Sequence, residues 1–137
     1  MRVFLDTNVL VSAFLTRGLC ADCVRQVLFA HEPVIGEVVL EEFATVLRRK
    51  FALPQEVIAS VEENLRRGEV VPRPPAPSVL PAGDPADGWI LASAIAGNAD
   101  VLVTGDQGLL AVAGEAPPRI LDPRGFWTLV RARAGSG

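Results

Sequence analysis

Arg2-Val3-Phe4-Leu5-Asp6-Thr7-Asn8 is a short apolar run that stops at an acid, and Val101-Leu102-Val103-Thr104-Gly105-Asp106 repeats the pattern far along the chain. Near-continuous apolar runs of this length suit strands buried on both faces, as in a parallel sheet. Ligands of open parallel sheets bind in the crevice at the carboxyl ends of the strands. Two carboxylates delivered there, Asp6 and Asp106, would repel by about 4 kcal/mol at roughly 4 Å and an effective dielectric near 20, unless a cation joins them. The pair therefore points to a hard-metal site and raises the question of further ligands.

Outward from these two runs, helical and strand patterns alternate. A strand over 2–5 leads to a helix over 9–15, with Thr7 or Asn8 as its cap, broken at Arg17-Gly18. A helix over 19–31 carries Cys20, Cys23, Val24, Val27 and Leu28 on one stripe. Pro33-Val34-Ile35 is a strand, and a helix from Gly36 to about Lys50 places Val39, Leu40, Phe43, Val46 and Leu47 on one face. A helix over 54–67 ends at Gly68, and 69–71 is a brief strand. The stretch 72–83 holds five prolines and reads as an ordered or semi-rigid loop. Asp84-Pro85 starts a helix, the aspartate as cap and the proline in its first position, ending at Gly97-Asn98. Val101–Val103 reads as the central buried strand, 109–112 as a short helix, Ile120-Leu121 as the last strand, and Pro123 as the start of a final helix. This alternation makes the class α/β with a parallel sheet. One domain over 1–130 and a frayed tail over 131–137 are expected.

Bulk properties narrow the function. The chain has 137 residues, half of them hydrophobic, and a net charge of −3. That charge is too mild for a protein that coats nucleic acid non-specifically, but it does not exclude a nucleic-acid enzyme whose acids surround a metal. Of the 13 basic residues only Lys50 is lysine. No signal peptide or membrane span is legible, so a cytoplasmic protein with reduced cysteines is expected.

Two more acids stand where a surface acid would not. Asp87 shares its helix face with Ile90, Leu91, Ala94 and Ile95, at spacings of three, four, seven and eight. A carboxylate on that face is costly to bury without a partner. It also lies three residues after the cap, where acids favour a helix amino terminus, and periodicity leaves both readings open. Glu41 and Glu42 point about 100° apart. Measured against Phe43, Glu41 lies opposite the apolar stripe and Glu42 at its border, so Glu42 is the one able to reach inward. Singly, Asp6 has the alternative role of a helix cap, and Asp106 that of a turn residue. The metal reading rests on all four acids.

Other chemistries fare worse. His31, the sole histidine, sits at the end of an apolar helix face and reads as a packing residue. Cys20 and Cys23 form a C-x-x-C without the second pair that zinc needs. Gly105 and Gly108 follow a strand but lack the Lys-Ser/Thr ending of a phosphate loop. A phosphoaspartate enzyme would want a second aspartate where Asn8 stands.

Taken in order and spacing, D-T-N-V-L-V-S-A, L-E-E-F-A-T-V-L, D-P-A-D-G-W-I-L-A-S-A and A-D-V-L-V-T-G-D-Q-G-L-L resemble the PIN domain, in its branch of VapC-like toxins from toxin–antitoxin pairs. The resemblance spans about residues 2–126. It implies a three-layer α/β/α fold with a mainly parallel sheet of four to five short strands, and a Mg2+- or Mn2+-dependent endoribonuclease. Its catalytic and metal-binding acids would be Asp6, Glu42, Asp87 and Asp106, supported by Asn8, Thr104 and the turn at Gly105. A protein antitoxin and a homodimer are further implications. Arg17 and Arg48 are candidate RNA contacts, although basic residues are also favoured at helix carboxyl ends. Many relatives carry T-G-D-x-D where this chain has Gly108, which leaves a second metal in question and gives the alternative of a catalytically weakened RNA- or protein-binding domain.

Overall fold

In a computed structural model, which describes residues 1–80, 84–114 and 117–136, the element order is β1 (Arg2–Leu5), α1 (Thr7–Leu15), α2 (Leu19–Ala30), β2 (Glu32–Gly36), α3 (Glu37–Arg49), α4 (Gln55–Leu65), β3 (Glu69–Val71), α5 (Pro85–Ala96), β4 (Val101–Val103), α6 (Gln107–Leu110), β5 (Arg119–Leu121) and α7 (Pro123–Ser136). The strands form one sheet, β3-β2-β1-β4-β5, parallel throughout. Helices flank it to give the three-layer α/β/α fold. Among the described residues no helix is long and apolar enough to cross a membrane.

The strand order decides where a ligand goes. The chain steps outward from β1 through β2 to β3, then returns to the far side of β1 for β4 and β5. The topological switch point is therefore between β1 and β4, and a crevice opens at their carboxyl ends. Leu5 pairs with Val103, so Asp6 and Thr104 are the first residues past the sheet on adjacent strands. β1 is the central strand, with β4 beside it; both are fully buried apolar runs, which sequence alone does not rank.

Phe4, Leu5, Ile35, Leu40, Phe43, Leu47, Ile58, Leu102, Leu109 and Phe126 fill the core on both sides of the sheet. The predicted stripes hold with local exceptions. Leu28 is 54% exposed and Ile95 52% exposed; each lies at the margin of its stripe. Of the C-x-x-C pair, Cys23 is buried and Cys20 half-buried; both are free. Burial pushes the Cys23 thiol up to about 11, which makes it a packing group. His31 ends α2, and its ring meets Phe126 edge to face at 6.1 Å. It packs beside the start of β1, at the end of the sheet away from Asp6.

Boundaries shift for identifiable reasons. α1 begins at Thr7 with Asp6 in the cap position, earlier than the predicted Thr7 or Asn8 cap. α6 begins at Gln107 because Asp106 caps it, its Oδ1 accepting from Leu109 N at 3.1 Å. α4 stops at Leu65. α7 continues to Ser136, through most of the stretch read as a tail. Asp84 caps α5 as expected, accepting from Ala86 N at 2.9 Å. Of the proline-rich loop, 81–83 lie outside the described residues. The described part closes over α5: Ser78 N donates to Gly88 O at 2.9 Å.

That closure needs a residue without a side chain. A Cβ on Gly88 would lie 2.4 Å from Ser78 O, a backbone atom that cannot swing away. Gly88→Ala is expected to destabilise the fold by about 1–3 kcal/mol through overpacking. Urea unfolding should show a lower midpoint at unchanged slope; an unchanged midpoint would mean the loop does not rest there.

Candidate active site

Asp6 is placed by two independent constraints. As the residue after β1 its N–H donates to Val103 O at 3.0 Å, which extends the β1–β4 pairing by one step. As the first residue before α1, its carboxylate accepts from Thr7 N at 2.7 Å. The second carboxylate oxygen accepts from the Thr104 hydroxyl at 2.7 Å. The side chain is 95% removed from solvent, Asp6 being 5% exposed.

Thr104 does two jobs. Besides donating to Asp6, its Oγ1 accepts from Asp106 N at 3.0 Å, so one hydroxyl ties the acid after β1 to the loop that carries the acid after β4. Asn8, exposed in the first turn of α1, accepts from Gly105 N at 3.1 Å and pins the same loop. Gly105 itself does not need to be glycine for backbone reasons. Its φ is not positive, and a Cβ there would meet Asn8 Oδ1 at an ordinary 3.6 Å.

Asp87 lies in the first turn of α5, 7% exposed, on the face it shares with Ile90 and Ala94. The inward reading of its position is the one realised. Glu42 lies at the border of α3, and its Oε2 accepts from the Thr7 hydroxyl at 3.2 Å. Glu41 and Glu42 are both exposed, and Glu41 is paired instead with Arg73, 3.7 Å away. Thr7 is thus a site residue the sequence did not single out. It was legible only as a potential cap, because nothing in the chain pairs it with Glu42, 35 residues on.

The electrostatics couple these acids to one another. Burial, opposed by the hydrogen bonds from Thr104 and Thr7 and assisted by the charges of Glu42 and Asp106, pushes the Asp6 carboxyl up from 3.8 to about 6. Burial raises Asp87 to about 6 as well, helped by the charge of Asp106, a hydrogen bond shared with the Asp106 carboxyl, and the charges of Asp6 and Asp84. Two carboxyls shifted this far in one crevice are what a functional site shows more often than a structural one.

The arrangement is an open cluster. Among the described residues no three or more His, Cys, Asp and Glu side chains stand close enough together to hold a metal ion by themselves. The donors are all oxygen, which suits Mg2+ or Mn2+ and does not suit zinc. Mg2+ keeps several waters and takes one or two carboxylates, so an open cluster of carboxylates still fits it. Gly108 is half-buried in α6 and brings no ligand.

A groove of about 470 Å³ leads away from Thr7, Asn8 and Glu42 between α1 and α3. Arg17 and Arg48 are exposed but do not line it; its cation is Lys50.

Comparison with known proteins agrees with this fold. The model of the PIN domain matches residues 2–108. Among solved structures, VapBC2 from Rickettsia felis, bound to a DNA fragment from its promoter, superposes with a TM-score of 0.63 at 22% identity, over 89% of this chain and 98% of that one. PAE2754 from Pyrobaculum aerophilum gives a TM-score of 0.60 at 20% identity, over 98% of this chain and 90% of that one. No curated protein sequence matches. With the family model covering the sheet from β1 through β4 and every acid of the crevice, the chain belongs to the PIN domain family.

Proposed function

We propose that this protein is a divalent-metal-dependent endoribonuclease, the toxin of a toxin–antitoxin pair. The observation that carries the reading is the buried Asp6 carboxylate at the switch point, with Asp87, Asp106 and Glu42 raising its charge density and no described cation facing it. Family membership supports a nuclease, and the likeness to VapBC2 supports a protein antitoxin. The same reading includes a homodimer in the cytoplasm.

In this reading Asp6, Asp87, Asp106 and Glu42 would hold Mg2+ or Mn2+. When bound, such an ion supplies Lewis-acid stabilisation of charge on the scissile phosphate and a more acidic water. The chain's own groups do the rest. Thr104 and Thr7 fix both oxygens of Asp6, leaving the remaining lone pairs aimed at the crevice. Thr7 holds Glu42 against the same side. Asn8 and Thr104 keep the loop bearing Asp106 in place. Asp87, sharing a hydrogen bond with Asp106, keeps a proton to higher pH than an ordinary aspartate, so the cluster is fully charged only above about pH 6.

A second reading, a weakened domain that binds RNA without cutting it, is favoured by Gly108 alone. Purified protein is expected to cleave single-stranded RNA with Mg2+ or Mn2+, and Asp6→Asn to remove that activity. Cleavage that survives Asp6→Asn would dismiss the role of Asp6, and RNA binding with no cleavage by the unmodified chain would select the second reading.

Thr104→Ala should lower activity by about 10–100-fold, as loss of a group orienting a ligand does, and shift the acid limb of the pH–rate profile upward, since the hydroxyl favours the charged form of Asp6. Thr104→Ser should restore both. An unshifted profile in the alanine variant would show that the hydroxyl does not control Asp6.

Stability should carry the mark of the site. The folded-state values of Asp6 and Asp87 lie above the ordinary 3.8, at about 6. Folding therefore takes up protons, and the resulting stability is present at acid pH and lost as pH rises through about 6. In chelator, Tm should fall between about pH 5 and about pH 7, Mg2+ should recover it at neutral pH, and Asp6→Asn should raise neutral-pH stability by about 3 kcal/mol. A Tm that stays level or climbs over that range would contradict the burial of these charges.

A further inference from the structure

The groove beside the acids has a far end that the catalytic reading does not use. Its walls are Val11, Ser12, Leu15 and Thr16 of α1 and Val46 of α3, and it finishes at Lys50 and Phe51. Glu42 and Lys50 are both on this wall, eight residues apart on α3 and its cap, which is about 12 Å along the axis. Lys50 is the sole lysine of the chain. Phe51 is 46% exposed, although an aromatic of this size normally packs.

The backbone keeps Phe51 there. Ala52 has φ +49, in the left-handed region, and Leu53 N then donates back to Leu47 O at 3.2 Å. The chain thereby returns Leu53 toward the core and leaves the ring of Phe51 at the groove mouth. A helix carboxyl end favours Lys and Arg in general, which accounts for Arg48 and Arg49 as well as for Lys50. It does not account for a lysine beside a half-exposed aromatic at the far end of a groove that starts at Glu42.

Resting on the nuclease reading above, we propose that this groove binds the single strand flanking the scissile phosphate, with Lys50 contacting a backbone phosphate and Phe51 stacking on a base. Single strands are held by such a pairing, a cation that follows the backbone and an aromatic face that accepts any base. A compact ammonium suits phosphate as a point charge. The small and mixed lining between, Ser12 and Thr16 beside Val11 and Val46, leaves room for ribose without demanding a sequence. A peptide occupant would find at this end a cation and one ring, and at the other the negative cluster.

The test is fluorescence anisotropy of a labelled random-sequence oligoribonucleotide against the full chain carrying Asp6→Asn, so that binding is read without cleavage, over a series of salt concentrations. Adding Phe51→Ala is expected to weaken binding about tenfold. Adding Lys50→Gln is expected to weaken it and to lower the slope of log affinity against log salt by about 0.7, the single-strand value for one phosphate contact. Arg67→Gln, which removes an equal charge from the turn after α4, should leave the slope unchanged. Thermal melts would check that all variants fold, as expected for exposed positions. Equal affinity and slope in the Lys50 and Phe51 variants overturn the proposal and leave the groove to another occupant, a partner peptide included. Absence of RNA binding by the Asp6→Asn parent overturns it too. Failure of the nuclease reading is separately visible, as absence of cleavage by the unmodified chain.

Discussion

The pairing of β1 with β4 is the constraint on which the site depends. Leu5 stands against Val103, so the next residues, Asp6 and Thr104, emerge side by side and their side chains meet at 2.7 Å. A slip of one residue would turn Asp6 and Thr104 to opposite faces, since side-chain direction alternates along a strand. The buried runs Val3–Leu5 and Val101–Val103 resist such a slip, because both faces of both strands are in the core. Packing thus sets the register, and the register sets the chemistry.

The crevice concentrates negative charge in a poorly solvated place, which works against folding in the absence of a cation. Several backbone and hydroxyl donors reduce the cost without removing it. Asp6 receives two hydrogen bonds and still sits near a pKa of 6, so burial outweighs the donors. Such a balance is common at functional sites, where local stability is given up for a poised group. It also separates this cluster from the surface pairs elsewhere in the chain. Arg66 grips Glu37 with two contacts of 2.7 and 3.0 Å, and Arg2 links Glu69 to the end of α5 through Gly97 O. Those acids have cations beside them; the acids of the crevice face one another.

Legibility in the sequence followed from whether a feature is local. Periodicity put Asp87 on the apolar face of α5 but left its capping role open until the structure showed it 7% exposed, and one helical step separated Glu42 from Glu41. The cap at Asp84 was visible in the Asp-Pro pair. Ile95 was not separable from the buried face by periodicity, since spacing along a helix does not tell which part of a stripe its neighbours cover; it is 52% exposed. Thr7 was invisible as a site residue because its partner, Glu42, is brought to it by the packing of α1 on α3. The groove ending at Lys50 and Phe51 is likewise a product of two helices and of the turn at Ala52. Arg17 and Arg48, near in sequence to acid-bearing elements, are exposed and do not line that groove.

The sequence by itself determined the α/β class, the parallel sheet and the caps that start its helices, because these depend on short-range periodicity and on residues that cap or break elements. The tertiary structure decided the strand order with β1 at its centre, the shared Thr104 hydroxyl, the bridge from Thr7 to Glu42, and which cation borders the groove. Each of those needs two segments far apart in the chain to meet, and a local pattern holds no information about which distant partner packing will choose.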